Sequence, residues 1–213
     1  MLRPQPLPDR QEMVRTQLRA RGIEDERVLA AMEKVPRELF VPDALRGEAY
    51  DDAALPIGFE QTISQPYMVA RICAELQLHG YERVLDVGTG SGYQAAVLAE
   101  LAAEVHSIEV IPRLAEHARV ALAAAGYSGR VHLHVGDGSL GLPEHAPFHA
   151  IAVAAAAPAP PPALLDQLFR GGRLVIPIGT PGRQFLRVYV ATPEGPADFA
   201  AVPCRFVPLV SRN

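Results

Sequence analysis

Three glycines at alternate positions, Gly88, Gly90 and Gly92, follow the apolar run Val84-Leu85-Asp86-Val87 and precede an alanine-rich segment that starts at Tyr93. A buried strand that turns through glycines into a helix lets backbone amides approach a nucleotide closely, because no Cβ intervenes. The spacing is G-x-G-x-G, with Thr89 and Ser91 between the glycines, and Asp86 lies two residues ahead of them. A carboxylate there suits a pyrophosphate poorly and a cationic or hydroxyl-rich ligand well. S-adenosylmethionine is such a ligand, with an ammonium, a sulfonium and no phosphate. Glu109 ends the next apolar run, where an acid can take both ribose hydroxyls. Asp137, in Gly136-Asp137-Gly138, follows the third run and can border the adenine. Each acid also has an ordinary reading, Glu109 as a solvated strand end and Asp137 as a turn residue. Their recurrence at the carboxyl ends of successive strands points to a ligand site.

Such a site needs a parallel sheet to hold it, and the pattern from Arg83 onward supplies one. Strands are expected at residues 83–87, 104–110, 131–135 and 148–156, with helices at 93–102 and 113–126. Strands separated by helical stretches of this length imply βαβ units. A proline-started helix over 160–172, closed by Gly171-Gly172, is expected next. Three closely spaced strands at 173–179, 185–192 and 201–210 then pair antiparallel at the sheet's end. Upstream, Asp9 and Glu12 form a capping signal for a helix that Gly22 closes. A second helix over 24–34 presents Val28, Leu29 and Met32 on one face. The proline-rich stretch 36–66 predicts loops and short turns, and a helix follows over 67–78. The expectation is one domain, with 1–80 laid over a core formed by 81–213.

Composition narrows the chemistry. Lysine occurs once, at Lys34, and no Gly-Lys-Ser/Thr exists, which removes the P-loop and nearly removes Schiff-base chemistry. A net charge of −4 with scattered arginines argues against a nucleic-acid partner. No run of 18 apolar residues exists and the first ten residues lack signal organisation, so no membrane role and a cytoplasmic location are expected. The two cysteines, Cys73 and Cys204, form no CxxC, which fits a reducing compartment. Among the seven histidines, His145 and His149 are split by Pro147, and His132 and His134 share a strand face with no partner cysteine and no nearby HExxH, so metal ligation is not expected. Ser64 lacks a G-x-S-x-G context, and just before a proline-started helix it reads as an N-cap.

From about Val14 to Leu209 the chain resembles the protein-L-isoaspartate O-methyltransferase family. The carrying stretches include Phe40-Val41-Pro42, Ala49-Tyr50-Asp51-Asp52 and Leu55-Pro56-Ile57-Gly58. The specific one is Gln61-Thr62-Ile63-Ser64-Gln65-Pro66, followed by the glycine loop through Gln94, then Gly136-Asp137-Gly138 and Phe206-Val207-Pro208-Leu209. The resemblance implies an α/β, Rossmann-like fold binding S-adenosyl-L-methionine, with S-adenosyl-L-homocysteine as product. It implies methyl transfer to the free α-carboxylate of isoaspartyl residues in damaged proteins and peptides, whose ester then closes to a succinimide and reopens partly to aspartate. It makes Ser64 catalytic and assigns the cofactor to Thr62, Ile63, Ser64, Asp86, Gly88, Thr89, Gly90, Ser91, Gly92, Glu109, Asp137 and Gly138. The substrate falls to Ile57, Gly58 and Ser64. No oligomer is required, so a monomer is expected. The chain departs from the family pattern at Phe59-Glu60, where a second glycine is usual and a charge now stands near the expected substrate entrance. It departs again at His149 and Ala154. A small-molecule methyltransferase, or a cofactor-binding module with little turnover, stays open as an alternative.

Overall fold

Capping residues set the first helices. In a computed structural model that describes residues 9–210, α1 (Arg10–Met13) starts where the Asp9 carboxylate accepts from the Glu12 amide at 2.8 Å. It continues through a π turn (Val14–Leu18) and a 3₁₀ turn (Arg19–Arg21) to Gly22, at φ 84°. Helix α2 (Glu26–Lys34) begins later than the pattern suggested, because Asp25 is its cap and accepts from the Arg27 and Val28 amides. Val28, Leu29 and Met32 are buried, as their spacing implied. The stretch expected to be loops and turns holds 3₁₀ turns and also an unforeseen hairpin, β1 (Leu55–Gly58) and β2 (Gln61–Ile63). Helix α3 (Pro66–Leu76) stops two residues short of the expected end, since Gln77 turns left-handed at φ 52°.

The rest builds the sheet. The elements are β3 (Arg83–Val87), α4 (Tyr93–Leu101), β4 (Glu104–Glu109), α5 (Pro112–Ala124), β5 (Val131–Val135), β6 (Phe148–Val153) and α6 (Pro162–Asp166). They end with β7 (Leu168–Thr180), β8 (Arg183–Thr192) and β9 (Gly195–Cys204). The sheet order is β5-β4-β3-β6-β7-β8-β9, parallel as far as β7 and antiparallel from β7 to β9. Strands β3 and β6 lie at its centre and are buried on both faces, which is why they read as mostly apolar runs. Helices α3, α4 and α5 pack with Val84, Val105 and Ala150 on one face; α6 packs with Leu85, Val153 and Leu174 on the other. The expected 13-residue helix over 160–172 is corrected to the five residues of α6. Gly171 and Gly172 serve an irregularity in β7 instead of a helix end: the ladder with β6 jumps from Leu168 to Arg173, and a Cβ on Gly172 would meet the Phe169 carbonyl oxygen at 2.7 Å.

Register also gathers histidines. His106 pairs with His132 across β4 and β5, Ile108 with His134, and the 3₁₀ turn Pro143–His145 lays His145 against them. The rings that meet His132 and His134 thus come from β4 and from a turn remote in sequence. Burial, aided by the neighbouring imidazoles, holds the pKa of His106 and of His134 below the usual histidine value.

Candidate active site

A cleft opens at the carboxyl ends of β3 and β4. Sheet order reverses here, with β4 on one side of β3 and β6 on the other, the position at which open α/β sheets take ligands. Gly88, Thr89, Gly90 and Ser91 form one wall. Their loop is held from behind, as the Gly88 amide donates to Ile108 O at 2.9 Å and Thr89 Oγ1 lies 2.6 Å from Ser107 Oγ. Gly92 does not reach the cleft. At φ 91° it starts α4, and a Cβ there would stand 3.1 Å from Leu122 Cγ, so it lets α4 pack close to α5.

Glu109 lines the cleft and is 5% exposed. Its Oε2 accepts from the Gly90 amide at 2.9 Å and its Oε1 from the Ile111 amide at 3.0 Å, which fixes the carboxylate against the loop. It is the one charged side chain among the described lining residues. Gly138 forms the floor, where a Cβ would overlap Val87 Cγ1 at 2.5 Å. Asp137 stands beside it without lining the cleft; its carboxylate accepts from the Ser139 amide and hydroxyl at 2.9 and 2.6 Å.

Asp86 is not on the wall either. It is fully buried behind the loop, accepting from Gln94 Nε2 at 2.8 Å and Ser107 Oγ at 2.7 Å. Burial raises its pKa from 3.8 to about 6, against the lowering effect of those two donors.

Thr62, Ile63 and Ser64 close the cleft from the hairpin side. Ile57 and Gly58 lie in the hairpin behind them, Ile57 Cδ1 reaching to 3.5 Å from where a Gly90 Cβ would be. The capping reading of Ser64 is corrected: the N-cap of α3 is Gln65, and no side chain caps that helix. Ser64 is held instead by its backbone, whose carbonyl accepts from Arg37 Nη2 at 2.8 Å. Arg37 is wholly buried, donates also to Ala49 O at 2.7 Å, and lies 4.8 Å from the Tyr93 ring centre. Burial pulls its pKa down to about 10. No sequence pattern announces it, since arginine is ordinarily an exposed residue. The remaining wall comes from Val207, Pro208, Leu209 and Val210, anchored where the Ala156 amide donates to Val207 O and the Leu209 amide to Ala156 O, both at 2.8 Å.

Thr62 and Ser64 line a second cleft as well, bordered by Arg21, Asp52, Tyr67 and Arg205. The Arg21 guanidinium lies 3.7 Å above the Tyr67 ring centre and pairs with Asp52 at 3.1 Å. Glu60 borders neither cleft. It and Phe59 form the hairpin tip, with φ of 59° and 54°.

The fold and the first cleft define a class, the S-adenosylmethionine-dependent methyltransferases. The donor set fits that cofactor, for the wall offers one carboxylate, several backbone amides and hydroxyls, and no described cation to meet a phosphate. Residues 9–213 match the family model of protein-L-isoaspartate(D-aspartate) O-methyltransferase, and the chain belongs to that family. It is 56% identical over 206 residues to protein-L-isoaspartate O-methyltransferase 2 of Marinobacter nauticus, covering 96% of this chain and 94% of that one. A solved structure of a protein-L-isoaspartate O-methyltransferase superposes with a TM-score of 0.82 at 27% identity; the match covers 93% of this chain and 65% of the other's length. A Plasmodium falciparum structure in complex with S-adenosyl-L-homocysteine, described as a putative family member, shares the fold at a TM-score of 0.82 and 24% identity, covering 96% of this chain and 99% of that one.

Proposed function

We propose that this chain methylates isoaspartyl carboxylates by positioning them, without a general base. S-adenosylmethionine, when bound, supplies an electrophilic methyl group on a sulfonium. An α-carboxylate with a pKa of about 3.5 is already ionised at neutral pH and needs no proton removed. Its task is to arrive correctly oriented, and orientation alone can supply much of the rate enhancement. The observation that carries the reading is that Thr62 and Ser64 border both clefts. The outer cleft, with Arg21 and Arg205 on its rim, receives the peptide, and the Ser64 hydroxyl donates a hydrogen bond to the incoming carboxylate. Arg37 keeps the Ser64 backbone in place. Thr62, Ile63, Gly88, Thr89, Gly90, Ser91, Glu109 and Gly138 hold the cofactor, Glu109 accepting from the ribose. Asp86, Gly92 and Asp137 support the loop and floor, and Ile57 and Gly58 support the hairpin.

No helix of the described residues is long and apolar enough to cross a membrane. The reading extends to a cytoplasmic monomer acting on damaged proteins, in which residues 9–80 cover the substrate side. Two synthetic peptides that differ only in an isoaspartyl or aspartyl linkage, incubated with labelled cofactor and weighed by mass spectrometry, test it. A gain of one methyl on the isoaspartyl peptide alone is expected. Equal methylation of both, or cofactor binding without transfer to either, would overturn the reading.

A further inference from the structure

Four imidazoles sit on the sheet face opposite α4 and α5, at the β4–β5 edge, and methyl transfer makes no use of them. Parallel register places His106 between His132 and His134, with all three rings on one side of the ladder. His145 covers them from its turn, its ring centre 4.3 Å from that of His106 and 5.0 Å from that of His134. One nitrogen from each of His106, His134 and His145 lies within 4.8 Å of the other two, and His106 Nδ1 is 3.0 Å from His134 Nε2. Three nitrogens around one tetrahedral ion stand about 3.3 Å apart, given metal–nitrogen bonds of about 2.0–2.1 Å. Modest ring rotation closes the difference, and only His145 rides on a turn outside the sheet.

The surroundings of His106 favour ligation over a mere stack of rings. Its Nε2 lies 2.9 Å from Glu104 Oε1, and Glu104 Oε2 accepts from Arg83 Nε at 2.7 Å. A carboxylate accepts, so it keeps the ring proton on Nε2 and leaves the Nδ1 lone pair facing His134 and His145. A carboxylate behind a ligating histidine is the usual second support of metal sites. His106 is 3% exposed, whereas His134 and His145 are half-buried, so an ion could enter from the solvent side.

We propose that His106, His134 and His145 bind one divalent first-row transition ion of the zinc type, with water in the fourth position. Imidazole ligands suit zinc, copper and nickel, and magnesium and calcium prefer oxygen. Binding would tie the segment 136–147 to the sheet edge at its His145 end. That segment begins beside Gly138, on the floor of the cofactor cleft. The site is independent of the methyl-transfer reading.

The test uses the untagged full chain, stripped with chelator and titrated with zinc chloride by calorimetry, with melting temperature followed in parallel. One equivalent should bind and raise the melting temperature. His145→Ala and His134→Ala should each weaken binding at least tenfold and abolish the shift, while His117→Ala, on the far side of the molecule's sheet, keeps both. Glu104→Gln should weaken binding about 10- to 100-fold through the tautomer of His106. Calorimetric silence in the wild type would overturn the proposal, as would stoichiometric binding unchanged by His145→Ala and His134→Ala together.

Discussion

Replacing Asp86 with asparagine should stabilise the protein at neutral pH, although it removes a residue of the glycine-loop signature. The carboxyl is fully buried, and its two donors, Gln94 and Ser107, do not offset the loss of water. Its pKa is raised from 3.8 to about 6. The folded state therefore holds this proton more tightly than the unfolded chain, so stability is greatest at low pH and falls as pH rises from about 4 through 6. Above that window the ionised group costs about 3 kcal/mol, from roughly two pH units at 1.36 kcal/mol each. Asparagine carries no such cost. Its Oδ1 can keep the Gln94 bond, and its amide can donate to Ser107 Oγ once the serine proton turns to Thr89 Oγ1, 2.6 Å away. Urea unfolding without cofactor, from pH 4.5 to 8, measures the effect. The stability of Asp86→Asn relative to wild type should rise by about 2 kcal/mol across that range, whatever constant offset the amide adds. A pH-independent difference, or wild type gaining on the variant as pH rises, would refute the claim that burial dominates this carboxyl.

Ser64→Ala should lower turnover roughly 10- to 150-fold, the worth of one hydrogen bond to a charged group, with the melting temperature nearly unchanged because Ser64 does not cap α3. Full activity with a lowered melting temperature would return it to a capping role. Glu109→Gln should weaken binding of S-adenosylhomocysteine by about 1–3 kcal/mol in a calorimetric titration, and wild-type affinity would remove Glu109 from the ribose. Glu60→Gly relieves a left-handed residue at the hairpin tip and should raise stability by about 1 kcal/mol, or roughly 2–4 °C in melting temperature, with peptide methylation unchanged. A fall in activity would mean the tip touches substrate.

Features written in a few neighbouring residues were legible in advance. The turn from β3 through the glycines into α4 needs only an apolar run, three glycines and alanines, and Glu109 follows because it ends the next such run. The β1–β2 hairpin was hidden because its tip, Phe59-Glu60, adopts positive φ at both positions without the Asn-Gly pair that normally signals such a turn. Gly171-Gly172 misled in the opposite direction, since paired glycines close helices and accommodate strand irregularities equally well. Arg37 and the histidine group depend on contacts between residues far apart in the chain, Arg37 with Ser64 and His106 with His145. Asp86 was recognised by position, but its direction was not: the same spacing serves a carboxylate facing a ligand and one buried behind the loop.

The cleft is walled by segments made at very different times during synthesis. Thr62, Ile63 and Ser64 come before the glycine loop, while Val207, Pro208, Leu209 and Val210 come more than a hundred residues after it. A ribosome adding roughly 5–20 residues per second completes the sheet's parallel half seconds before it delivers that final wall. A nascent chain therefore lacks one wall of the cleft until Ala156 has captured Val207 and Leu209.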